Sequence, residues 1–300
     1  NIALRPMSDI DLLVPASLAR EAWRVVKALG YRLIYPATET LIPSFGKDFV
    51  CQKPGGFVPV EVHWTIRIAD EKDCMDDEEL WQNARTVRIA EMKIDTATLS
   101  VEDFLLHLCL HASYQHEFDF GLRALCDIAI FIERFEPEID WPALRARVSR
   151  HRWRKGVYLI LHLASARTGA AVPAEVLTAL KPADLSAEVI EQAERRLFDA
   201  GAETAAMTAN TINFFKPGRL GDRAAVLWRR LFPSREEMAY MYPIPPGSWV
   251  LYGYYLVRVR DLMRRHGAAA WRLLRGDREL AETVRQRDAL REWLFKPDAQ

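Results

Sequence analysis

The 300-residue chain lacks an excess of charge of either sign, with Lys plus Arg and Asp plus Glu both numbering 41. No global field draws it to nucleic acid or acidic lipid, so any basic surface has to be local. Cysteine is scarce. Cys51, Cys74, Cys109 and Cys126 show no C-x-x-C spacing and no disulfide framework, which suits a reducing cytoplasm better than secretion, and a cytoplasmic location is expected. No signal-peptide pattern is visible. No apolar run reaches the roughly 18–20 residues of a membrane span; SWVLYGYYLV, from Ser248, comes nearest at about half that length. Internal repeats and low-complexity tracts are also missing. What remains is 50% hydrophobic, enough to bury the core of one large domain or two modest ones.

The segment DIDLLV, Asp9 to Val14, alternates as a strand does, with Ile10, Leu12 and Val14 on one face and Asp9, Asp11 and Leu13 on the other. Pro15 stops it. Leu18, Ala22, Val25, Val26 and Leu29 then recur at helical spacing as far as Gly30, a residue suited to a helix C-terminus. Extended patterns return in YRLIY, in DFVCQ and, beyond the turn KPGG (Lys53 to Gly56), in FVPVEVHW; Pro59 predicts an edge position or a bulge for that last strand. There Val58, Val60 and Val62 share one face, and Glu61 and His63 the other. Past Ser100, followed by Glu102 and Asp103, nearly everything reads as helix: Val101–Tyr114, Phe120–Phe135, Trp141–Arg150, Trp153–Thr168, Pro173–Leu180, Ala187–Ala200, Gly221–Leu231 and a long element after Ser248. The expected architecture is α+β: a small mixed-sheet domain over residues 1–97 and a larger all-helical domain over 98–300, with the boundary near Ile94 to Thr98.

Two aspartates at i and i+2 of one strand lie roughly 7 Å apart, close enough to repel when ionised and to share a cation. Asp is disfavoured in strands, so the pair is less innocent than two threonines would be. Mg²⁺ prefers one or two carboxylates plus phosphate oxygens and water, which makes Asp9 and Asp11 a candidate cradle for a metal–nucleotide complex. A third acid on a neighbouring strand could complete the ligand set or activate a hydroxyl for in-line attack on phosphorus, and Glu61 is the candidate in mid-strand. The bland alternative makes all three the solvent side of amphipathic strands.

LRPMSDIDLLV, a helix ending ALGY, and later VEVHW together resemble the uncharacterised nucleotidyltransferase family of the DNA polymerase β-like superfamily. The likeness extends through LSVEDFLLHLCLHAS and LRALCDIAIFI, and more weakly through LFPSREEMAYMYP and YYLVRVRDLMRR. The resemblance implies that Asp9, Asp11 and Glu61 hold Mg²⁺ or Mn²⁺ and that Arg5 and Ser8 contact the triphosphate of an NTP substrate. Superfamily members carry a small-residue motif on a helix upstream of the acids. Eight residues precede Asp9 here, and a missing upstream segment is the expectation.

Other constellations are less specific. His107 and His111 are i and i+4 on one helix, with His116 and Asp119 close behind; they fit core histidines, a zinc site lacking the H-E-x-x-H pattern, or residues lining a substrate cleft. Arg123 and Asp127 are likewise i and i+4 and either pair together or face that cleft. His63 shares the side of Glu61 and could orient it or touch phosphate. Residues 248–275 combine aromatics with Arg258, Arg260, Arg264, Arg265, Arg272 and Arg275 against Asp261; packing is preferred there over peripheral membrane or nucleic-acid contact. Two principal functions compete. One is Mg²⁺-dependent transfer of an NMP from an NTP to a hydroxyl of a small-molecule or peptide acceptor; the other is a catalytically degenerate binding module of the same fold.

Overall fold

The computed structural model describes residues 8–36, 39–44, 46–66, 68, 75–89, 92–198, 228, 231–244, 247–275 and 278–297. The chain is α+β, and it divides into two compact units: the described residues of 1–77 with 209–268, and those of 78–208 with 269–300.

The first unit is built on a four-stranded mixed sheet of β1 (Ile10–Leu13), β2 (Arg32–Tyr35), β3 (Asp48–Gln52) and β4 (Val60–His63), in the order β1-β4-β3-β2. β1 runs parallel to β4, and the other two pairs are antiparallel. Between β1 and β2 the chain crosses through α1 (Ala19–Ala28). Its Ala19 and Trp23 pack with Phe49, Cys51, Val60 and Val62 from one sheet face, and Trp23 meets Phe49 edge-on at 5.6 Å. One face of the sheet is therefore apolar and covered by α1. The β3–β4 turn has Pro54 second and Gly55 third at φ +75°, with the Gly56 N–H donating to the Lys53 carbonyl, the arrangement of a type II turn.

The Pro59 expectation is corrected here. β4 lies inside the sheet, between β1 and β3, and its ladder begins at Val60, so the missing proline N–H removes no rung. The Pro59 carbonyl still accepts from the Ile10 N–H at 3.1 Å. β1 occupies an edge, and its Ile10 and Leu12 side chains are about half exposed rather than buried.

A later stretch of chain returns to this unit. Within α9 (Arg235–Met241), Met238 and Ala239 form a second small core with Leu41, Ile244 and Leu251, the last opening α10 (Leu251–Leu274). α9 starts on a capping box, Ser234 accepting from the Glu237 N–H and Glu237 from that of Ser234.

The second unit begins within α2 (Asp77–Asn83) and continues into a two-stranded hairpin, β5 (Arg85–Ile89) and β6 (Ile94–Thr98), so the segment where the sequence changes character is itself a strand. Its helices are α3 (Val101–Leu110), α4 (Arg123–Phe135), α5 (Trp141–Arg150), α6 (Arg154–Thr168), α7 (Ala174–Leu180), α8 (Ala187–Phe198) and α11 (Arg278–Phe295). Ser100 caps α3 by accepting from the Asp103 N–H, and Asp140 caps α5 through Ala143. α6 is the central element, buried without a break from Lys155 to Leu161, as a helix apolar on every side must be. Its Gly156 allows close approach: an added Cβ would stand 2.3 Å from the Tyr114 ring and 2.6 Å from the Ser113 hydroxyl.

The predicted helix Val101–Tyr114 changes form at Leu110 and continues as a turn of π-helix, His111–Gln115. Glu117 and Phe118 follow at φ +46° and +67°, with Phe118 fully buried. The predicted helix Gly221–Leu231 lies almost wholly outside the described residues.

Candidate functional site

Strand register assembles the site. In the parallel β1–β4 pair Asp11 stands opposite Glu61, and in the antiparallel β3–β4 pair Asp48 stands opposite His63. Directly opposed residues share a sheet face, as do residues two apart on one strand. Asp11, Glu61, His63 and Asp48 thus all project from the face opposite the one that packs on α1, while Asp9 directly precedes β1. The alternation that buries Val60 and Val62 is what turns Glu61 and His63 outward.

His63 lies at the centre of the group. Its Nε2 is 3.2 Å from the Asp11 carboxylate and 3.5 Å from that of Glu61, while Nδ1 is 3.6 Å from Asp48. Exposure falls steadily inward: the Asp11 side chain is 61% exposed, Glu61 29%, His63 17% and Asp48 7%. Beneath this layer Asp48 accepts from the Tyr240 hydroxyl at 3.2 Å, and the Lys47 ammonium is 3.8 Å away. Burial works against protonating His63, but Asp11, Glu61 and Asp48 together outweigh it and the opposing charge of Lys47, pushing its pKa up to about 9.

Asp11, Glu61 and His63 each offer a ligand atom, and these atoms lie within 4.8 Å of one another. Among the described residues no other group of three or more His, Cys, Asp or Glu side chains comes this close. The structure therefore brings Asp11, Glu61 and His63 together. Asp9, just before β1, is outside that trio, and its carboxylate accepts from the Ser8 hydroxyl at 3.0 Å. Arg5 lies outside the described residues.

The remaining candidates belong to the second unit. The His107 and His111 rings are 5.7 Å apart and those of His111 and His116 4.4 Å, with Phe120 against both of the latter. Arg123 lies over the Phe120 ring at 4.4 Å, and Asp127 is one turn further along α4. These histidines form an aromatic cluster rather than a convergent set of metal ligands.

Two members of the network escape sequence reasoning. Asp48 is a lone acid opening a strand, and parity becomes informative only once its pairing with His63 is known. Tyr240 is 192 residues away in the chain from Asp48. Its helix could have been found from the S-x-x-E pattern of Ser234 and Glu237, although nothing local ties it to Asp48.

A family model described as uncharacterised nucleotidyltransferase matches residues 1–169, more than half of the chain and all of the sheet that carries Asp11, Glu61 and His63. No curated protein and no solved structure matches the chain. No helix among the described residues is long and apolar enough to cross a membrane.

Proposed function

The chain belongs to the uncharacterised nucleotidyltransferase family, and from that premise we propose that it transfers a nucleoside monophosphate from an NTP to a hydroxyl of a small-molecule or peptide acceptor. Family membership supports nucleotidyl transfer in general. The observation that carries the finer reading is the register match of Asp11 with Glu61, which puts two carboxylates from different strands beside one another on one sheet face.

The residues fit a divalent ion: ligand atoms of Asp11, Glu61 and His63 are mutually close, and three carboxylates surround the single imidazole. Bound there, Mg²⁺ or Mn²⁺ would supply charge stabilisation for the transferring phosphoryl group. In this reading Asp11 and Glu61 hold the ion, and Asp9 with Ser8 borders the triphosphate. The acceptor oxygen forms its bond to the α-phosphorus as the bond to pyrophosphate breaks, and in this reading Glu61 accepts the hydroxyl proton. Alignment of acceptor and NTP contributes the rest of the acceleration. The balanced charge of the chain favours a small-molecule or peptide acceptor over nucleic acid.

The test is incubation of the full-length protein with α-labelled NTPs and a cell extract, followed by mass spectrometry. An acceptor gaining one NMP with the wild type and none with Asp11→Asn supports the reading. If no NTP labels any acceptor in the presence of Mg²⁺ or Mn²⁺, the reading fails.

A further inference from the structure

The three donor atoms on this sheet face are not three oxygens, and that difference bears on which ion they hold. Resting on the proposed metal-dependent transfer, we infer that His63 is itself a ligand through Nε2, and that the site therefore selects a first-row transition ion over Mg²⁺.

The first support is spacing. An ion with bonds of about 2.1 Å keeps neighbouring donors roughly 3.0 Å apart in an octahedron and roughly 3.4 Å apart in a tetrahedron. His63 Nε2 lies 3.2 Å from Asp11 and 3.5 Å from Glu61, in the range of two donors beside it on one ion.

The second support is what stands behind the ring. A ligating histidine characteristically gives its other nitrogen to a carboxylate that fixes tautomer and orientation. Here Nδ1 faces Asp48, whose side chain is nearly buried and is itself held by the Tyr240 hydroxyl. This leaves Nε2 turned toward the two outer carboxylates. Asp48 and Tyr240 are positioning residues in this arrangement, acting through the imidazole.

Ion choice follows from donor type. Mg²⁺ prefers an all-oxygen shell and keeps several waters, whereas imidazole suits transition ions, whose affinity for mixed nitrogen and oxygen sites rises along the Irving–Williams series. One imidazole with two carboxylates favours the second class.

The experiment uses Mn²⁺ alone, without nucleotide, at neutral pH, where the ion takes the place of the proton on Nε2 and that proton is released to solvent. Pulsed electron paramagnetic resonance of the wild-type complex should show ¹⁴N modulation from one directly bound imidazole, and that readout requires no variant to fold. Calorimetry should give Mn²⁺ an affinity at least about tenfold above that of Mg²⁺. His63→Gln should lose the nitrogen signal and about ten- to a hundredfold in Mn²⁺ affinity; Asp48→Asn should keep the signal and lose about tenfold. Asp11→Asn should lose the bound ion. Mn²⁺ bound without nitrogen modulation, or equally by wild type, His63→Gln and Asp11→Asn, overturns the assignment while leaving an oxygen-ligated nucleotidyltransferase intact. Mg²⁺ binding as tightly as Mn²⁺ overturns the selectivity. Binding of neither ion overturns this assignment and the metal of the proposed function together.

Discussion

The two units treat buried charge in opposite ways. In the second, the buried charges among the described residues meet their opposites: Asp103 pairs with Arg147, Lys155 with Asp184 at 2.7 Å, and Arg196 with Glu117 and Asp119, while Glu117 also receives Arg291. In the first, Asp11, Glu61 and the buried Asp48 crowd around one histidine, with Lys47 at the margin. Balanced pairs tie helices together. Three carboxylates around one imidazole leave negative charge in surplus on that sheet face, and the surplus makes sense if a cation belongs there.

The sharpest way to break the comparison is to remove one charge from each side. Asp11→Asn gives up an exposed contact with His63 while easing the crowding of carboxylates, so the first unit should change little in thermal stability while nucleotidyl transfer falls by roughly a thousandfold or more, the scale on which removing a transition-state charge stabiliser acts. Large loss of stability on that substitution would place Asp11 with the structural pairs instead.

Next in size is a change that touches no charge. Gly156→Ala pushes a methyl group against Tyr114 and Ser113, where α6 meets the π-turn, and it should cost about 3 kcal/mol, read from denaturant unfolding. It should leave Mn²⁺ binding by the first unit unchanged in folded protein.

Slightly smaller is Asp184→Asn. Lys155, buried on α6, donates to Asp184 and to the Trp293 carbonyl of α11, and its ammonium lies 5.0 Å from the Trp293 ring centre. Taking away the carboxylate leaves a buried ammonium without its counter-charge, at a cost of about 2–3 kcal/mol after allowing for the partial exposure of Asp184. Hydrogen exchange along α6 and α11 would register it. Lys155→Met, which removes the charge and fills the space, should cost less than Asp184→Asn; the reverse order would contradict the paired-charge account.

The smallest effect is a pH dependence. Burial alone would raise the Asp184 pKa, but Lys155 outweighs it and holds the carboxyl below its ordinary value of 3.8. A depressed carboxylate pKa stabilises the fold fully above the unfolded value and ceases to do so as pH falls through the folded one. Wild-type stability in acid, from just above 3.8 downward, should therefore decline more steeply than that of Asp184→Asn.

What could be read from the sequence follows the same division. The shared face of Asp11, Glu61 and His63 was legible because period-two alternation fixes the face on which a strand side chain lies, whatever the strand pairs with, whereas Asp9 falls just before the strand. The start of α3 was legible because Ser100 and the acids after it form a local signal. Strand order was not: β1 beside β4 is a parallel pairing made over about fifty residues, and no local pattern encodes it. Asp48 and Tyr240 were hidden for the same reason, each gaining meaning from a partner far away in the chain. The hairpin of β5 and β6 was missed because RTVRI and IDTAT are short and mostly exposed, with too little buried alternation to stand out.

The most direct measurement is calorimetric titration of the full-length protein with a non-hydrolysable NTP analogue and saturating divalent metal, for the wild type and Asp11→Asn in parallel. One metal-dependent nucleotide site per chain in the wild type, abolished by chelation and by Asp11→Asn, is the expected result. Nucleotide binding that is equally tight in Asp11→Asn, or unchanged by removing the metal, would contradict the claim that the acids of β1 and β4 hold the ion on which nucleotidyl transfer depends.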